Sequence, residues 1–144
     1  MTISYRPADD VKELVEDAVA GLNMGHINPE QVACVRSWGS SSRRTLARIH
    51  GTPRIWQVVM KIRPLYIIEV LGERFDKLSP EDREKVIIHE LLHIPKGFRG
   101  GLRCHGSWTS RGRVDTLYGV LCESRNRTRA PLSDLETRHT REGT

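Results

Sequence analysis

The sequence predicts an α+β fold: a small, mostly antiparallel sheet of three or four strands packed on an N-terminal helix and on a second helix that carries two histidines. Three observations lead there. An amphipathic stripe at helical spacing opens the chain, short β-rich stretches divided by turn signals follow, and a well-capped helical run occupies residues 79–95. At 144 residues the chain is expected to form one main domain over residues 1–124, large enough to bury a core without disulfides. Residues 125–144 are polar and arginine-rich, and are expected to be a basic, partly disordered or loosely docked tail.

Residues 8–22 place Val11, Leu14, Val15, Ala18, Val19 and Leu22 on one helical face, with Asp9 and Asp10 in the first turn where the helix dipole favours acids. A loop should follow through Pro29, with His26 in it as a solvent-facing residue. Residues 31–38 alternate and are β-rich, Gly39-Ser40-Ser41-Ser42 reads as a turn, and residues 45–50 alternate again. Gly51-Thr52-Pro53 turns the chain, and the branched run 55–62 reads as a further strand. Pro64 breaks that run, and residues 65–71 supply the last strand, with 71–75 as a possible helical turn. Short connections of this kind favour antiparallel neighbours. Trp38 and Trp56 are expected in the core or on a sheet face, Cys34 as a small packed residue, and His50 as a structural residue at a strand end.

The run 79–95 carries every signal of a helix. Ser79 is an N-cap residue, Pro80 suits the first helical position, Glu81 and Asp82 complement the dipole, and Pro95 with Gly97 ends the element. Ile87 with Leu91 and Ile88 with Leu92 are apolar pairs four apart that bury its second half. Within it stands His89-Glu90-Leu91-Leu92-His93. Residues four apart share a face, so His89 and His93 can aim imidazole nitrogens at one ion, while Glu90, rotated about 100°, lies beside it. This HExxH arrangement is that of zinc peptidases. Two histidines four apart on an ordinary core helix would look the same, so a third ligand is needed to tell the two apart.

An open zinc site takes three protein ligands and leaves a position for water. Residues 96–106, with four glycines in eleven positions, can fold the chain back from the helix end. His105 stands near the end of that loop and is the preferred third ligand. Glu123 on a later helix-period stretch (Val114, Leu117, Tyr118, Leu121) is its rival, with Asp115 and Cys104 behind. With Zn2+ bound, Glu90 is the expected general base for attack of water on a peptide bond, and Tyr118, Arg103 or Arg111 could stabilise the oxyanion. The extended substrate is expected along the edge of the strand 66–70.

The net charge of +5 is unevenly distributed. Between Gln31 and Ile68 lie Arg36, Arg43, Arg44, Arg48, Arg54, Lys61 and Arg63 with no acidic residue, and Lys96, Arg99, Arg103, Arg111 and Arg113 form a second run. If both face one cleft, they suit an acidic protein or peptide substrate, or one held close to nucleic acid. Three cysteines, Cys34, Cys104 and Cys122, lack CxxC spacing and are expected reduced. Nothing reads as a membrane span, and the N-terminus lacks the apolar core of a secretion signal, so a cytoplasmic protein without a membrane partner is expected. An alternative to a hydrolase is a zinc-stabilised nucleic-acid-binding module whose histidine helix is structural.

HELLHIP, the preceding YIIEVL and FDKLSPEDREKV, and the following GGLRCHG together resemble small single-domain proteins of archaea and phages classed as metallopeptidases, over residues 33–118. HELLH with the later His105-Gly106-Ser107-Trp108 is also similar, more loosely, to SprT-like zincins, whose third histidine commonly precedes a glycine and then an aromatic. The resemblance implies a minimal zincin fold, zinc on His89, His93 and His105, and Glu90 as the catalytic residue. His105 comes too late for the metzincin spacing, and the cysteine-rich module of many SprT-like proteins is absent from the sequence.

Overall fold

The computed structural model describes residues 2–128. They form a four-stranded sheet with three helices packed on one face. Strand β1 (Ser4–Pro7) leads into helix α1 (Asp9–Gly21), a 3-10 turn at Pro29–Gln31, and strands β2 (Val32–Trp38) and β3 (Ala47–His50). Helix α2 (Arg54–Met60), strand β4 (Tyr66–Leu71), the short helix α3 (Gly72–Phe75), helix α4 (Pro80–Leu91) and helix α5 (Arg111–Thr128) complete the order. The α+β expectation holds, with a mostly antiparallel sheet on the N-terminal helix and the histidine helix.

The order across the sheet is β1-β2-β4-β3. β4 lies parallel to β2, with Cys34 opposite Ile68, and antiparallel to β3, with Ile49 opposite Ile68. The expectation that sequential strands are antiparallel neighbours therefore fails at β2 and β3, which are separated by β4. One face of the sheet presents Val32, Cys34, Tyr66, Ile68 and Val70 to Val11, Val15 and Ala18 of α1, Ile87, Ile88 and Leu91 of α4, and Val114 and Leu121 of α5. This is the core, and α4 lies in its centre between α1, α5 and β3.

The opposite face holds a buried acid. Glu69 is 2% exposed, and it accepts hydrogen bonds from Ser37 Oγ (2.6 Å) and from Arg48 Nε (3.0 Å), with His50 Nε2 2.9 Å away. Burial alone would raise its pKa, but the bonds from Arg48, Ser37 and His50 outweigh that and hold the carboxyl at about 2. Arg48 and His50 belong to β3, so Glu69 fastens that strand to its neighbour by side chains as well as by backbone.

Two local expectations are corrected. Residues 55–62 do not form a strand: Arg54–Met60 is helical, and Trp56 lies exposed on it, outside the core and off the sheet. A branched run can be overruled by its ends and its contacts. Pro53 precedes the helix, Lys61 ends it in the left-handed region (φ 53°), and the buried Gln57 side chain donates to the carbonyls of Thr52 (2.8 Å) and Arg99 (2.7 Å). β1 was not anticipated, because Ser-Tyr-Arg-Pro is exposed throughout and shows no alternation. α5 runs through residue 128, and Arg125 on it meets Glu84 of α4 at 2.7 Å. The rest of the tail expected over 125–144, with His139, lies outside the described residues.

Candidate metal centre

α4 forms as its sequence dictates. Ser79 Oγ accepts the Asp82 N–H (3.1 Å), Pro80 occupies the first turn, and Ile87, Ile88 and Leu91 are buried along one side. Regular helix ends at Leu91, short of the expected Pro95, and His93 N–H donates to the Glu90 carbonyl (3.1 Å) in a tightened final turn. The two histidine rings still share a face, with centroids 5.1 Å apart and edge-to-face.

The glycine-rich loop then returns the chain. Arg103 N–H donates to the His93 carbonyl (2.7 Å), and His93 Nδ1 lies 2.6 Å from the Arg103 carbonyl. A backbone carbonyl can only accept, so Nδ1 carries the proton and Nε2 is left with its lone pair free. From β4, the Tyr66 hydroxyl donates to the Gly101 carbonyl (2.8 Å) and accepts the Gly100 N–H (2.9 Å). Gly100 has φ +97°, and a Cβ at Gly51 would stand 2.0 Å from the Gly100 carbonyl oxygen. Trp108 packs on Gly106, donates Nε1–H to the Cys104 carbonyl (3.0 Å), and carries the Arg103 guanidinium 4.3 Å over its ring. His105 is delivered between these two anchor points.

The result is a three-histidine group. One ring nitrogen each of His89, His93 and His105 lies within 4.8 Å of the others, and His89 Nε2 is 3.3 Å from His105 Nε2. Burial, then the neighbouring His93 and His105, push the His89 pKa down, which favours the neutral ring that a metal ligand requires. Glu90, 7% exposed, sits beside the group without an ion-pair partner among the described residues, and burial pushes its carboxyl up to about 7. Three imidazoles, one of them oriented by a backbone carbonyl, are a donor set that suits a borderline divalent ion.

The rival ligands are not part of this group, although Asp115 and Cys104 line the same cleft. Asp115 pairs with Lys85 (3.1 Å), Glu123 is exposed on α5, and Cys104 is exposed and outside the group. His26 and His50 are also outside it. A cleft of about 1070 Å³ opens over the histidines. β3 lines it along with residues 102–105, so β3, and not the interior strand β4, offers the sheet edge next to the site. Arg44 and Arg48 of the first basic run and Arg103 and Arg111 of the second line this cleft; Tyr118 does not. What sequence reasoning missed is the Arg103 carbonyl and the Tyr66 hydroxyl. The first carries no signal in any side chain, and the second reads as one more apolar position in a strand.

Against known families, the model described as "Putative phage metallopeptidase" matches residues 3–126. No curated protein and no solved structure matches the chain.

Proposed function

The chain belongs to that phage metallopeptidase family, and on this premise we propose that it is a zinc-dependent endopeptidase in which His89, His93 and His105 hold the ion and Glu90 is the general base. The observation that carries the reading is the convergence of three imidazoles from two separate segments beside a buried carboxylate. Zinc is preferred to harder ions because the set is all nitrogen. When bound, the ion supplies Lewis-acid polarisation of the scissile carbonyl and acidifies water.

The protein's own groups do the rest. Glu90, whose pKa burial brings near neutrality, takes a proton from the attacking water and returns it to the departing amine. Arg103 or Arg111, both of which line the cleft, would donate to the developing oxyanion. The peptide lies extended against the free edge of β3, whose backbone groups would add it as a further strand. The apolar packing of α4 and the bonds of Tyr66 to Gly100 and Gly101 support the two segments that carry the histidines.

The test is zinc content and hydrolysis of an unfolded protein substrate, for wild type and Glu90→Gln side by side. About one zinc per chain in both, with hydrolysis lost only in the variant, is the expected result. Equal hydrolysis in both removes Glu90 as base. No zinc in the wild type removes the ion.

A further inference from the structure

Ten large apolar side chains are exposed among the described residues, and seven of them fall in one segment: Ile55, Trp56, Val58, Val59, Met60, Ile62 and Leu65, between 36% and 73% exposed. At roughly 100 Å² each they amount to a patch on the order of 700 Å², above the few hundred Å² usual for a monomer surface. A groove lined by Trp56, Met60, Ile62, Leu65 and Ile67 extends it toward the sheet.

The shape and charge of this patch narrow its occupant. At 100° per residue, Val58, Ile55, Val59, Trp56 and Met60 span an apolar arc of about 200° around α2, and only Gln57 faces inward. A helix docked on another protein needs a stripe about half as wide. An apolar ridge exposed on so many sides at once is best covered by a fluid. Arg54, Lys61 and Arg63, all exposed, flank the ridge, and no acidic residue occurs between Gln31 and Ile68. A two-fold pairing with a second copy would bring these cations together, whereas an anionic lipid surface would neutralise them.

We propose that α2 and the residues after it are a membrane-surface anchor, which inserts Ile55, Trp56, Val58, Val59 and Met60 into the interfacial region of an anionic bilayer while Arg54, Lys61 and Arg63 contact headgroups. No helix among the described residues is long and apolar enough to cross a membrane. With about 10 Å of length, α2 lies in the interface plane. The proposal is independent of the peptidase chemistry and survives its failure.

The test is co-sedimentation of the full-length protein with vesicles of phosphatidylcholine alone and of phosphatidylcholine with phosphatidylglycerol at three to one. The expected result is at least about tenfold tighter binding to the anionic vesicles, weakened about fivefold by Arg54→Gln or Arg63→Gln. The doubly substituted V58D/V59D, at two exposed positions that leave Gln57 in place, should lose at least about tenfold more while keeping wild-type circular dichroism. Tryptophan emission should shift to the blue on binding, and Trp56→Phe should abolish that shift. The proposal is overturned if the wild type ignores anionic vesicles, which would assign the ridge to a protein partner, or if V58D/V59D binds them as well as wild type does. A solution dimer that dissociates in V58D/V59D would equally overturn it in favour of a second copy.

Discussion

α4 and α2 are both short helices, and they are held in opposite ways. α4 is capped by Ser79, buries Ile87, Ile88 and Leu91 as one stripe, and is tied by Arg125 to Glu84 at its side. α2 has no side-chain cap and buries Gln57 alone, whose amide holds it to Thr52 and Arg99. The contrast shows that this fold spends its packing on the helix that presents the histidines. The other helix is left with its apolar residues turned outward, free to meet something else.

Variants at each helix should break or sharpen this contrast. The largest effect belongs to α4: Glu90→Gln should lower kcat/KM on an unfolded protein by about 10³-fold while thermal midpoint and zinc content stay near wild type. Next, His105→Ala should weaken zinc binding by more than about 100-fold, read by chelator competition; Glu123→Ala should leave it unchanged, and the reverse pattern would move the third ligand to α5. The third effect belongs to neither helix but to Glu69, the acid that holds β3. The Glu69 pKa falls from 4.5 unfolded to about 2 folded, so its contribution to stability is full above about pH 4.5 and is lost as pH falls toward 2. That loss amounts to roughly 3 kcal/mol at most, and it should appear in denaturant midpoints as an acid-side slope that Glu69→Gln flattens. The smallest effect belongs to α2: Gln57→Ala should cost about 1–2 kcal/mol by orphaning two carbonyls, with zinc affinity retained. If Gln57→Ala released the metal instead, the two helices would not be separable, because Gln57 also touches Arg99 in the return loop.

The same contrast explains what the sequence discloses. α4 is legible because one buried face, an N-cap and a terminating proline all leave marks in residue type, and the three-histidine group is legible because a glycine-rich return is a plausible route for His105. α2 is misread because periodicity reports burial, and a helix with a single inward residue has none. Its branched side chains then look like a strand. The sheet order is illegible for another reason: the strand letters of β2, β3 and β4 are equally β-rich, and nothing in them says that β4 slots between the other two. Which strand borders the cleft follows from that order, so the sheet edge next to the site is β3, whereas the sequence points to β4.

The insertion of β4 has a consequence for the site. β2 and β3 come earlier in the chain and do not pair with each other: β2 has β1 on one side, and β4 pairs with both β2 and β3 from between them. β4 runs directly into α3 and on to the helix bearing His89 and Glu90. The segment that fills the gap in the sheet is therefore the same one that sets where the histidine helix begins, so the pairing of β4 and the position of His89 and Glu90 depend on one stretch of chain.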